Sequence, residues 1–354
     1  MLNNKNLQSF YKLFEINSKT NVFIIAELSA NHGGSIDIAI ETIKAAKRSG
    51  ANAIKLQTYT ADTITIDSEK PDFVIKDTIW SGRKLHDLYK EAYTPWEWHE
   101  KLFKTAEEEG LIWFSSPFDK TAVDFLESLN VLAYKIASFE ITDIPLIEYV
   151  ASKGKPIIIS TGIAELEDIE LAVETCRKVG NNQIALLKCT SSYPAPIDEA
   201  NMCMVKELAE RFNVISGLSD HTMGATVPIV ATSLGAKIIE KHFILDRSIG
   251  GPDASFSMNE QEFTDMVTSV REAESAIGIV DYNLTEKQKK GKDFSRSIYI
   301  IEAINAGDTL TEKNIRSIRP GFGLHPKYYN EVIGKKIKVN LSKGDRLSLD
   351  QIYI

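Results

Sequence analysis

Three lysines stand where short apolar runs end: Lys55 in NAIKLQTY, Lys135 in LAYKIAS and Lys188 in IALLKCTS. Hydroxyls occupy comparable places, at Ser138, Ser160, Thr161, Thr190, Ser191 and Ser219. Ammonium groups neutralise a phosphate or carboxylate, while hydroxyls and backbone N–H groups complete its acceptor lone pairs in a partly desolvated pocket. A single strand-end lysine more often snorkels to solvent, but three at equivalent ends predict an anion site. His221 in GLSDH and His242 in EKHF close the last two runs, so their imidazoles should be neighbours. Two imidazoles with water or substrate oxygens make an open divalent site, able to polarise a carbonyl. With no third obvious ligand, exchangeable Mn, Mg or Co suits it better than tight zinc; a histidine acting as general base is the competing reading. Glu27, Glu140, Glu240 and Asp253 could bind sugar hydroxyls or move protons, and sequence does not rank them. Asp220 and Glu240 could instead orient the histidines, and His32 in SANHGG could line the same site.

The elements that must position these groups repeat. Eight β-branched runs, VFIIAELS, NAIKLQTY, LIWFSSPF, LAYKIAS, PIIIST, IALLKCTS, VISGLSDH and KIIEKHFI, alternate with helical patterns such as IDIAIETIKAAKRSG and LEDIELAVETCRKVG. Strand then helix, eight times over about 280 residues, predicts a (β/α)8 barrel in preference to an open doubly wound sheet. Each run ends in polar or charged residues, and the C-terminal strand ends are where such barrels keep active sites. The string YKEAYTPWEWH predicts a helix with Trp96 and Trp98 packed on the barrel, whereas Trp80 and Tyr93 fall in a loop able to cover a substrate.

The barrel is expected to span residues 1–285, followed by a polar linker or solvated helix at 286–294 and a small β-rich domain at 295–354. Within the last, Gly307, Asp308, Leu310, Thr311, Asn314 and Ile315 match Gly344, Asp345, Leu347, Ser348, Gln351 and Ile352, which predicts two turn-strand units around one core. So small a domain should dock on a barrel, its own or a second subunit's.

The composition excludes whole classes. A chain of 354 residues that is 43% hydrophobic and 25% charged is globular, neither disordered nor fibrous. A net charge of -8 argues against nucleic acid as the main partner. No apolar run approaches a membrane span, the N-terminal stretch lacks a signal-peptide core, and Cys176, Cys189 and Cys203 show no metal or disulfide spacing. A cytoplasmic enzyme with reduced thiols is expected.

AELSANH, IKLQTY, SSPFD, YKIASFE, IISTG, LLKCTSSYP, GLSDHT, EKHF and GGPDASFS, with IRPGFGL in the C-terminal domain, resemble the phosphoenolpyruvate-dependent nonulosonate (sialic acid) synthases over nearly the whole chain. KLQTYTADTITID and LYKEAYTPWEWH resemble the pseudaminate-forming branch. The resemblance implies a TIM barrel followed by an SAF (antifreeze-like) domain. It implies that Lys55, Lys135, Ser138, Ser160, Ser191 and Ser219 hold phosphoenolpyruvate, and that His221 and His242 bind the metal. Glu27, Gln57, Tyr193 and Asp253 would face the sugar or metal-bound water, and Glu140 would handle a proton. Arg319 would reach the sugar site of the other subunit in a domain-swapped homodimer. The implied reaction joins C3 of phosphoenolpyruvate to the aldehyde of an open-chain diacetamido-trideoxy hexose and releases phosphate. Acceptors of the N-acetylneuraminate or legionaminate branches, a Schiff-base aldolase built on Lys135 or Lys188, and a non-catalytic sugar-binding protein are the other readings.

Overall fold

The computed structural model describes residues 4–15 and 20–353, so the ends of the N-terminal stretch, residues 1–3 and 16–19, lie outside the described residues. Eight parallel strands close a barrel in chain order: β1 (Phe23–Glu27), β2 (Ala53–Thr58), β3 (Ile112–Pro117), β4 (Tyr134–Ile136), β5 (Ile157–Ser160), β6 (Ile184–Cys189), β7 (Ile215–Asp220) and β8 (Ile238–His242). The predicted closed (β/α)8 architecture is therefore the observed one, with β1 hydrogen-bonded to both β2 and β8.

Side chains alternate across each strand, and the two faces do different work. Outward residues such as Ile24, Ile54, Tyr134, Ile159, Leu186 and Ile239 join the core shared with the surrounding helices. The inward residues Ile25, Ala53, Ile112, Phe114, Ile158, Leu187 and Ile238 form a second core. Phe10, Leu13 and Phe14, from the helix Asn4–Lys12 and the turn after it, complete that core, and the Phe10 and Phe23 rings lie 5.3 Å apart. Continuing the same inward alternation toward the C-terminal ends reaches Glu27, Lys55, Gln57, Ser116, Lys135, Ser160, Cys189, Ser219, Glu240 and His242.

Local signals set the helices. Asn259 caps Glu260–Ile277 by accepting from Glu262 N at 3.0 Å while the Glu262 carboxylate accepts from Asn259 N at 3.0 Å. Asn213 ends Cys203–Phe212 in the left-handed conformation, φ 49°. Thr226–Ser233, between β7 and β8, is apolar nearly all round and has no amphipathic stripe by which to recognise it.

Two compact units divide at Gly278 and Ile279. The polar stretch after the division is helical at Glu286–Gly291 and Lys292–Phe294. The second unit pairs β9 (Ser297–Ile300) antiparallel with β10 (Ile315–Ile318) and adds isolated bridges. Its sequence echo is also a structural echo. Asp308 accepts from Asn305 N at 2.8 Å and Asp345 from Ser342 N at 2.6 Å; Asn314 accepts from Thr311 N at 2.7 Å and Gln351 from Ser348 N at 3.0 Å. Leu310, Ile315, Leu347 and Ile352 meet in one core.

Candidate active site

A buried carboxylate organises the mouth of the barrel. Glu240 Oε1, on β8, accepts from Lys135 Nζ at 3.1 Å and Ser219 Oγ at 3.2 Å, and lies 3.5 Å from Lys55 Nζ. Lys55 is also ion-paired with Glu27 and donates to Ser116 Oγ at 3.3 Å. Four charges thus sit on four strands with almost no exposure. The two lysines are not equivalent. Burial opposes the charge of each, but at Lys55 the carboxylates of Glu240 and Glu27 outweigh it and raise the pKa, whereas at Lys135 burial prevails and lowers it. Burial pushes Glu27 up to about 7 against the pull of Lys55, while Lys135 and Lys55 outweigh the burial of Glu240 and lower its pKa.

Beside this cluster, Ser191 Oγ donates to Ser138 Oγ at 2.9 Å. Gly162 follows β5 and approaches both so closely that a Cβ there would overlap Ser191 Oγ and stand 2.5 Å from Ser138 Oγ. Glycine at 162 lets the two hydroxyls keep these positions. Ser160 Oγ and Glu140 Oε2 are buried without a hydrogen-bond partner, and burial raises Glu140 to about 7 despite nearby Lys135. Unpaired buried polar atoms are costly, and several beside the strand ends are the mark of a site built for a polar ligand.

The imidazoles of His221 and His242 have centroids 5.3 Å apart. His221 Nδ1 lies 3.0 Å from Thr190 O, an acceptor only, so in the neutral ring Nδ1 carries the proton and Nε2 the lone pair. His242 Nδ1 is buried with no hydrogen-bond partner and lies 3.7 Å from Asp253 Oδ2. Burial, reinforced by the charges of His221, Lys55 and Lys135, holds His242 well below its usual pKa, hence neutral. Asp253 is in turn fixed by Ser29 Oγ, which donates at 2.5 Å. Among the described residues, no three or more His, Cys, Asp or Glu side chains converge as a metal-ligand group. Burial opposes the charge of His221, but Cys189 and the Thr190 carbonyl outweigh it and raise its pKa, so its Nε2 is a ligand once the ring gives up its second proton; that nitrogen and the orphaned, neutral His242 do fit a site completed by water and substrate oxygens. Tyr193 packs on His221 at 4.5 Å and Phe256 on His242 at 5.1 Å, and Trp80, 5.6 Å from Tyr193, donates from Nε1 to Pro252 O at 3.2 Å. An aromatic wall therefore flanks the imidazoles.

Several expectations need correction. Lys188 does not converge with Lys55 and Lys135: it shares the outward alternation of Ile184 and Leu186, and its Nζ donates to Cys189 O at 2.6 Å. Asp220 does not orient a histidine directly, because it pairs with Lys241 at 2.5 Å, and Glu240 serves the lysines. His32 keeps its place after β1, buried against Trp98 at 5.5 Å, with Nδ1 accepting from Gly34 N at 3.1 Å and Nε2 without a partner. Ser116 is one of the polar residues that end the run LIWFSSPF, whereas Gly162 and Lys241 carry no sequence signal of their place. Strand alternation already places Ser116 beside Lys55, but nothing in the sequence marks a glycine as a close approach. Gln57 is half-buried, on the inward face of β2. Trp96 stacks on Phe125 at 4.8 Å, a packing role as expected. Arg319 is exposed just after β10 in the second unit.

The NeuB family model matches residues 42–282 and the SAF domain model residues 295–352. The chain belongs to the NeuB family. It is 49% identical to a pseudaminic acid synthase of Campylobacter jejuni over 94% of this chain and 96% of that protein, and 46% identical to one of Helicobacter pylori over 93% and 97%. The N,N'-diacetyllegionaminic acid synthase of Legionella pneumophila is 35% identical over 95% and 96%. A crystal structure of N-acetylneuraminic acid synthetase from Leptospira borgpetersenii, in complex with citrate, superimposes with a TM-score of 0.69 at 30% identity, covering 78% of this chain and 92% of that one. Membership in the NeuB family thus rests on the match over the barrel sequence, and the SAF match accounts for the C-terminal unit.

Proposed function

We propose that the protein is a pseudaminic acid synthase, condensing phosphoenolpyruvate with 2,4-diacetamido-2,4,6-trideoxy-altrose to give pseudaminic acid and inorganic phosphate. The observation that carries this reading is the near-full-length identity to pseudaminic acid synthases of two organisms, well above that to a legionaminic acid synthase. The geometry supports it. Lys55 and Lys135 bring two ammonium groups to one carboxylate oxygen, and Ser138 and Ser191 meet over Gly162, with Ser160, Ser219 and Ser116 at the strand ends. Phosphoenolpyruvate, anionic at both ends, needs such a set, because each of its oxygens must exchange water for a charged or hydroxyl donor.

His221 and His242, with Asp253 beside them, would hold a divalent ion, Mn, Mg or Co. Bound there, such an ion supplies Lewis-acid polarisation of the acceptor's aldehyde. The protein's own groups do the rest. Lys55 and Lys135 orient phosphoenolpyruvate so that its C3 attacks the aldehyde carbon; holding two reactants in contact can remove about 7–11 kcal/mol from the barrier. Water then adds at C2, and the tetrahedral intermediate loses phosphate by C–O cleavage. Glu140, poised near neutrality with a partnerless oxygen, takes or returns the proton of this step, and Glu27 stands near the same pKa on the sugar side. Trp80, Tyr193 and Gln57 face the acceptor. Arg319 completes the sugar site of a second subunit in a domain-swapped homodimer, and the free thiols, Cys203 among them exposed, suit a cytoplasmic setting. No helix among the described residues is long and apolar enough to cross a membrane.

Phosphate release from phosphoenolpyruvate with Mn tests the reading, comparing the diacetamido-trideoxy-altrose with N-acetylmannosamine and adding EDTA as control. Release with the first acceptor alone, abolished by the chelator, is the expected result. Preference for N-acetylmannosamine would move the protein to another branch of the family; borohydride trapping of a lysine adduct would replace the mechanism with a Schiff-base aldolase.

A further inference from the structure

We propose that Asp220 and Lys241 act as a clasp that sets the separation of the two imidazoles, which makes them positioning residues for His221 and His242. The inference rests on the metal reading given above.

Each clasp residue immediately precedes a histidine, Asp220 before His221 and Lys241 before His242, and the two are direct partners in the β7–β8 register. Alternation sends both side chains to the outer face of the sheet, away from Lys135 and Glu240. There they are sealed, with side chains 1% exposed. Lys241 Nζ donates to Asp220 Oδ2 at 2.5 Å, Thr222 O at 2.5 Å and Gly224 O at 3.3 Å, so all three ammonium hydrogens are used. Asp220 Oδ1 accepts from Thr222 N at 2.9 Å. The residues on both sides of His221 are therefore tied to one ammonium group on β8, whose next residue is His242. On its far side, His221 is held by the bond from Nδ1 to Thr190 O. The β7 loop cannot move relative to β8 without breaking several buried hydrogen bonds.

Stability alone does not account for such a device. The desolvation of two buried charges offsets most of their attraction, and apolar residues of similar volume often serve a fold as well. What a saturated ion pair adds is direction, because its partners sit at one distance and one angle. Here that direction is passed, one residue along each strand, to two rings 5.3 Å apart. Residues that orient metal ligands typically change metal affinity about 10–100-fold when replaced.

The test uses the full-length protein stripped of metal, with Mn(II) binding followed by electron paramagnetic resonance and Co(II) binding by its visible spectrum. The double variant Asp220→Asn/Lys241→Met removes both charges at similar volume and is expected to fold. Its Mn(II) affinity should fall about 10–100-fold and its Co(II) band should shift. Asp220→Asn alone keeps the size and the acceptor for Thr222 N; it should weaken Mn(II) at least about threefold, which keeps the test decisive if the double variant does not fold. Folded variants whose Mn(II) affinity and Co(II) spectrum match the unaltered protein would overturn the clasp and leave the metal reading standing. An unaltered protein that binds neither ion would overturn both.

Discussion

Two buried ion clusters meet on β8 at the neighbouring residues Glu240 and Lys241, on opposite faces of the strand, and they are finished differently. Outside the barrel, Lys241 spends every hydrogen on Asp220, Thr222 and Gly224. Inside, Glu27, Lys55, Glu240 and Lys135 hold one another while Glu240 Oε2, Glu27 Oε1, Ser160 Oγ and Glu140 Oε2 have no hydrogen-bond partner. The saturated cluster has nothing left to offer a ligand and serves geometry. The unsaturated one retains binding capacity at a cost in stability, as expected of a site that completes its hydrogen bonds only when substrate arrives.

That contrast can be broken most directly at its two lysines. Lys135→Met should lower kcat/KM for phosphate release about 10²–10³-fold with a smaller loss of thermal stability than at Lys241, because Glu240 keeps Lys55 and Ser219 as partners and Glu27, raised to about 7, can take up a proton. Lys241→Met should instead destabilise the fold by about 3–5 kcal/mol, since it strands the Asp220 carboxylate. Denaturant titration beside steady-state kinetics separates the two, and equal stability losses would erase the distinction. A smaller effect is expected at the cradle. Gly162→Ala places a methyl group against Ser138 and Ser191, and should raise the KM for phosphoenolpyruvate roughly 10-fold or more, with the acceptor KM nearly unchanged. An unaltered phosphoenolpyruvate KM would remove the cradle from the site.

Glu140 sharpens the comparison through pH. Its folded pKa is raised from 4.5 to about 7, so between these values the native state binds more protons than the unfolded chain. Its contribution to stability is present below pH 4.5 and is lost as the pH rises toward 7. Glu140→Gln should flatten the decline of stability across that window by up to about 1.4 kcal/mol per pH unit, and should remove one limb of the kcat profile near neutrality. Identical pH profiles for variant and parent would refute the role. The smallest effect belongs to Lys188→Ala, which should leave kcat/KM within about threefold, as is usual for residues outside the machinery. A loss comparable to that of Lys135→Met would return Lys188 to the anion site.

The barrel was legible because eight β-branched runs alternating with amphipathic helices leave few other ways to bury that much apolar surface. The C-terminal repeat was legible for a similar reason: Gly307-Asp308 and Gly344-Asp345 specify local turns, and local turns form the same way wherever they occur. Much of the candidate site's placement was readable too, since Lys55, Lys135, Glu240 and His242 sit at strand ends whose location the barrel dictates.

The sequence by itself determined the repeating elements, the residue types at the mouth and the family, all of which depend on local periodicity and on short motifs. Only the tertiary structure decided which of those residues face the same way. Lys188 and Lys135 look alike as strand-end lysines, but the start of each strand fixes its parity, and one residue of offset sends a side chain to the opposite face. It also decided which polar groups are spent and which remain free, as Asp220 and Glu240 illustrate. Both are buried acids beside histidines, and their partners come from other strands, at distances along the chain that no local pattern encodes.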